Sequence, residues 1–161
     1  MKKTLIYIGI FTLTNMLFFP ARYAIANNNN GVLPHIDSNS QFPQTRWQNV
    51  RHSFRVHIPN NSPTVSQLSI EVPNTVTWGH DINDITIVDD NNKKVSSQIS
   101  INGKSIMIAF TKPVAPNTQL EIDINNIKQP FRGNGIVYNI KAKLANHRTE
   151  MFIGTARFRI N

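Results

Sequence analysis

Apolar and polar residues alternate with a period of two through seven or eight short runs, turn chemistry separates the runs, and no sustained helical period appears. Together these predict an all-β fold. The arrangement expected is an immunoglobulin-like antiparallel β-sandwich, because strands with one apolar face each hide it most economically against a second sheet. A closed barrel is the alternative way to bury the same faces.

The chain divides into three parts. Residues 1–26 read as a cleavable secretory signal peptide: Lys2-Lys3, an apolar run from Leu5 to Phe19, Pro20, and then Ala24-Ile25-Ala26 as the small-residue cleavage pattern. The apolar run is short of the roughly 20 residues that span a bilayer, so no stable membrane anchor is expected after cleavage. Residues 27–49 are rich in Asn, Ser, Gln and Pro and lack apolar periodicity, which predicts a flexible leader. Residues 50–161 carry the sandwich.

In that domain Phe54, Val56 and Ile58 alternate with Ser53, Arg55 and His57 up to Pro59, the pattern of a half-buried strand. Leu68, Ile70 and Val72 repeat it and stop at Pro73, which cannot donate to a ladder. One short helical turn fits between Thr75 and Asp84. Ile85 and Ile87 then run into Asp89-Asp90-Asn91-Asn92, residues that tolerate the left-handed backbone of a turn. Ile99 and Ile101 lead through Asn102-Gly103 to Ile106, Ile108 and Phe110, which predicts a hairpin with a type I′ turn. Leu120, Ile122 and Ile124 make a further strand, as do Ile136, Tyr138, Ile140 and Ala142. Met151, Ile153, Phe158 and Ile160 frame the last, where Gly154 marks a bulge or a close backbone approach.

Four segments, in order, resemble a known family: His52 to Pro59, Ser66 to Pro73, Pro113 to Thr118, and Ile153 to Arg159. It is a cyanobacterial secreted family catalogued as a domain of unknown function, number 2808 in its series. The resemblance covers Arg51 to Ile160 and implies a cyanobacterial source and an exported protein. It carries over no activity and no catalytic residue. The stretch Ile85 to Asp89 is also similar to bacterial immunoglobulin-like modules of envelope proteins.

The chemistry available is narrow. With no cysteine there is no disulfide scaffold, thiol nucleophile, thiolate zinc site or iron–sulfur cluster. No nucleophile-elbow motif is present, and no catalytic residue is assigned. The turns Asp81 to Asp84 and Asp89 to Asn92 lack the twelve-residue calcium-loop pattern and read as turn chemistry. No cofactor is expected. His52, His57, His80 and His147 are the residues that a metal-binding alternative would use, although His52 and His57 sit five apart and so face opposite sides of a strand.

The formal charge is +8, and loss of Lys2, Lys3 and Arg22 with the signal brings it to +5. The cations are uneven: residues 124–161 contain seven Lys and Arg against the single acid Glu150. If the first and last strands lay side by side, Arg51, Arg55, Arg157 and Arg159 would form a basic stripe for an anionic polysaccharide or lipid headgroup. The reading is therefore an exported, non-enzymatic binding or structural module of the cell envelope, periplasmic or extracellular. Its partner would be an envelope polysaccharide, lipid headgroup or protein, and not nucleic acid. A periplasmic metal-binding protein and an uncharacterised hydrolase are the alternatives.

Overall fold

The computed structural model describes residues 32–44 and 47–160, so the expected signal peptide and the start of the leader lie outside the described residues. The described residues form nine strands: β1 (His35–Phe42), β2 (Asn49–Ile58), β3 (Val65–Glu71), β4 (Ile85–Asp89), β5 (Ser97–Asn102), β6 (Ser105–Val114), β7 (Thr118–Lys128), β8 (Ile136–Leu144) and β9 (Met151–Phe158). They form two antiparallel sheets, ordered β1-β2-β7-β4 and β5-β6-β3-β8-β9. The only helical element among the described residues is a 3₁₀ turn at Ile82–Asp84, capped by Asp81, whose Oδ1 accepts from the Asn83 amide at 2.9 Å.

The alternation read from the sequence is what buries the core. Phe54, Val56 and Ile58 of β2 meet Leu120, Ile122 and Ile124 of β7 on the inner face of one sheet. Leu68 and Ile70 of β3 and Ile106, Ile108, Tyr138 and Ile140 of β6 and β8 line the other. At roughly 25 cal/mol per Å² of apolar area buried, each such side chain contributes about 1.5–3 kcal/mol, and without a disulfide this packing holds the sandwich.

Two expectations are corrected. Residues 35–42 are not part of a flexible leader. They form β1, which pairs antiparallel with β2 from His35↔His57 to Phe42↔Arg51. The strand is polar because both its edge and its outer face meet solvent; Ile36 alone packs on the core, so it leaves no period-two signal. The β5–β6 hairpin also turns one residue later than Asn102-Gly103. Asn102 belongs to β5, and Gly103, at φ +57°, is the first of two connecting residues before Ser105. Positive φ at that first position alone is the requirement of a type II′ turn rather than I′.

The two lateral sides of the sandwich differ. On one, β1 packs on β9, and Gly154 (φ +148°) admits Ile36 so closely that a Cβ there would stand 3.0 Å from Ile36 Cγ1. On the other, β4 and β5 leave a groove of about 520 Å³ lined by Ile85, Ile87, Val95 and Ile99, in which Lys94 is the only ionisable lining residue.

Candidate functional site

Arg51 and Arg55 project from the outer face of the β1-β2-β7-β4 sheet and are matched by carboxylates on β7. Arg55 Nε donates to Glu121 Oε2 at 2.9 Å, and Arg51 Nη1 lies 3.8 Å from Asp123 Oδ2. Arg157 belongs to β9, at the edge of the other sheet, and Arg159 follows it. Because β1 occupies the edge beside β2, the first strand of the expected stripe never meets the last. The four arginines are two separate pairs, one on β2 and the other at the end of β9.

What does gather is the end of the sandwich where β1 and β7 finish and β2 and β8 begin. Phe42, Trp47 and Phe131 expose 65%, 63% and 64% of their surface there. Loop contacts fix their backbone. Gln129 Nε2 donates to the Trp47 carbonyl at 3.0 Å and the Gln129 amide to the Gln48 carbonyl at 2.9 Å, which ties the β1–β2 loop to the β7–β8 loop that carries Phe131. The Arg51 guanidinium sits 5.5 Å over the Phe42 ring.

Cations surround these rings. Arg157 Nη2 donates to the Asn134 carbonyl at 3.5 Å, while Arg157 and Arg159 line a hollow of about 340 Å³ with Asn39, Gln41 and Gln44. Lys128 and Arg132 are exposed and, among the described residues, form no ion pair. Sequence reasoning missed Phe42, Trp47, Phe131 and Arg132. The available signal was aromatic residues within otherwise polar, Pro-containing stretches.

Behind this end stands a buried polar cluster. His52, fully buried on β2, places Nδ1 2.8 Å from the Tyr138 hydroxyl and stacks on Phe158 with centroids 4.0 Å apart. Burial drives its pKa down to about 4, with the Gln129 side chain pulling the other way. His52 Nε2 and Gln129 Oε1 are both buried without a hydrogen bond of good geometry. Burial likewise raises the Tyr138 pKa above its ordinary value.

The four histidines expected to share a metal are dispersed. His52 is in the core, His57 is on the outer face of β2, His80 stands against Trp78 in the β3–β4 connection, and His147 lies in the β8–β9 turn. Among the described residues no three His, Asp or Glu side chains cluster at metal-ligand range. Asp81 and Asp89 cap turns, Asp89 Oδ1 accepting from the amides of Asn91 and Lys93.

Fold and surface define an immunoglobulin-like two-sheet domain with a cationic, aromatic end. The chain belongs to the family described as protein of unknown function, DUF2808, which matches residues 34–160. No curated protein is similar to it. Among solved structures it is similar to the RrgA Jo.In complex (TM-score 0.50, 7% identity, covering 78% of this chain and 77% of that one). It also resembles the collagen-binding domain of a Staphylococcus aureus adhesin (0.43, 12%, 75% and 93%). A third is ACE19, the collagen-binding subdomain of the Enterococcus faecalis surface protein ACE (0.47, 14%, 74% and 94%). At these identities the likeness is one of fold.

Proposed function

We propose that this chain is an exported, non-enzymatic binding module of the cell envelope that takes an anionic partner at the end bearing Phe42, Trp47 and Phe131. The observation that carries the reading is the concentration there of three exposed aromatic rings with Lys128, Arg132, Arg157 and Arg159. Large exposed rings cost solubility unless a partner uses them, and guanidinium groups without an acidic neighbour match sulfate, phosphate or carboxylate groups. Export is supported by the Lys2-Lys3, apolar-run and Ala24-Ile25-Ala26 pattern, and by the resemblance to a secreted cyanobacterial family.

The test is retention of envelope material by the chain and by a Trp47→Ala, Phe131→Ala, Arg132→Ala, Arg159→Ala variant. A partner held by the parent, released by salt and not retained by the variant is the expected result. Equal retention by both would overturn the assignment to this end.

A further inference from the structure

We propose that His35 and His57 form a two-imidazole site for a divalent first-row transition ion, with copper(II) held most tightly. The site lies at the opposite end of β1 and β2 from the aromatic rings and is independent of the function proposed above. His35 and His57 are direct cross-strand partners, so their side chains share one face of the sheet. Their ring centroids are 5.3 Å apart at 64°. Two imidazoles on one ion, with metal–nitrogen bonds of about 2.0–2.1 Å, have ring centres roughly 4.5 Å apart when cis on a tetragonal ion and roughly 5 Å apart on a tetrahedral one, so the observed separation is within reach of a bound pair once the rings turn a nitrogen each toward the ion.

The tautomer favours binding. His35 Nδ1 lies 3.1 Å from the Leu33 carbonyl, which only accepts, so Nδ1 carries the proton and Nε2 keeps a lone pair. A ring nitrogen anchored on a backbone carbonyl is the usual support of a metal-ligating histidine. Both rings are half-buried on a three-strand platform, since Gln119 of β7 stands opposite His57 on the other side.

The surrounding charge favours a cation. Gln119 Nε2 donates to Asp37 Oδ2 at 2.8 Å, which brings a carboxylate over the same face. Gln119 also lines a hollow of about 280 Å³ with Asp89, Asp90 and Glu121, where Arg55 is the one cation and is already held by Glu121. Two imidazoles with water completing the coordination suit copper(II), which heads the affinity order for nitrogen and oxygen sites, with zinc below it.

The test is titration of the full, metal-free chain with copper(II) chloride, followed by calorimetry and electron paramagnetic resonance. One ion per chain with the hyperfine pattern of two imidazole nitrogens is expected. His35→Gln and His57→Gln should each weaken binding about tenfold or more, while His80→Gln and His147→Gln leave it unchanged. No uptake, or uptake insensitive to both His35→Gln and His57→Gln, would overturn the site. Should either variant fail to fold, selective paramagnetic broadening of the His35 and His57 ring signals in the unsubstituted chain decides the matter, and broadening elsewhere would refute it.

Discussion

His52 is a base placed where its charged form has no solvation. Its Nδ1 faces a hydroxyl, one ring face lies on Phe158, and its depressed pKa of about 4 compares with about 6.5 for an exposed imidazole. Between those values the unfolded chain binds a proton that the folded chain refuses. Stability is thus fully present above about pH 6.5, falls as the pH drops toward 4, and levels off below. The gap corresponds to a loss on the order of 3 kcal/mol. Urea unfolding at pH 7, 5.5 and 4 should show that slope, and His52→Asn should flatten it; an unchanged slope in the variant would assign the acid sensitivity elsewhere. Glu71 acts lower on the scale. Hydrogen bonds from Lys141 and Asn139 hold its pKa below the usual carboxylate value, so its contribution is present above that value and is lost at more acidic pH. Neither group's environment was legible in the sequence. The alternation placed His52 and His57 on opposite faces, but nothing local to His52 announced Tyr138, which lies 86 residues away.

At the scale of elements, the strands readable from the sequence were those with one wet and one dry face: β7 and β8 follow the period of two nearly residue by residue, and β2 and β3 keep their apolar residues on it although Ser53 and Ser69 are buried as well. The unreadable strand was β1, where a bulge between Ile36 and Ser38 breaks the period. Its loss from the reading hid both the His35↔His57 pair and the separation of Arg51 and Arg55 from Arg157 and Arg159, since partners across strands leave no trace in local spacing. Gly154 was legible as a bulge or a close approach, and the structure has both: the β8–β9 register shifts beside it, and Ile36 packs against it. A side chain at Gly154 would collide with Ile36 and force a positive φ on a residue that disfavours it. Gly154→Ala should cost about 1–3 kcal/mol by pushing β1 off β9. Amide exchange should then quicken in β1 while β3 and β8 keep their protection. Uniform loss of protection would mean that β1 and the core unfold as one unit.

The whole molecule separates its chemistry by location, with an apolar interior that fixes the fold and two ends of opposite character. Around His35, Asp37 and Gln119 the surface carries carboxylates; around Phe42, Trp47 and Phe131 it carries Lys128, Arg132, Arg157 and Arg159. The two tryptophans report on this division, because Trp78 is 6% exposed in the interior and Trp47 is 63% exposed at the cationic end. In the free chain acrylamide should quench one component of the tryptophan fluorescence strongly and the other weakly, and Trp47→Phe should remove the strongly quenched one. That substitution leaves the core untouched, so unfolding free energy should shift by no more than about 0.5 kcal/mol, the range of surface changes, whereas Phe54→Ala in the core should cost about 3–5 kcal/mol. An anionic envelope partner seated on the aromatic end would cover Trp47 and lower its quenching toward that of Trp78. A bound partner that leaves Trp47 as accessible as before must sit elsewhere, and the β4–β5 groove, open at the other lateral side and lined by Ile85, Ile87 and Ile99 together with Thr86, Ser96 and Thr111, would then be the surface to probe.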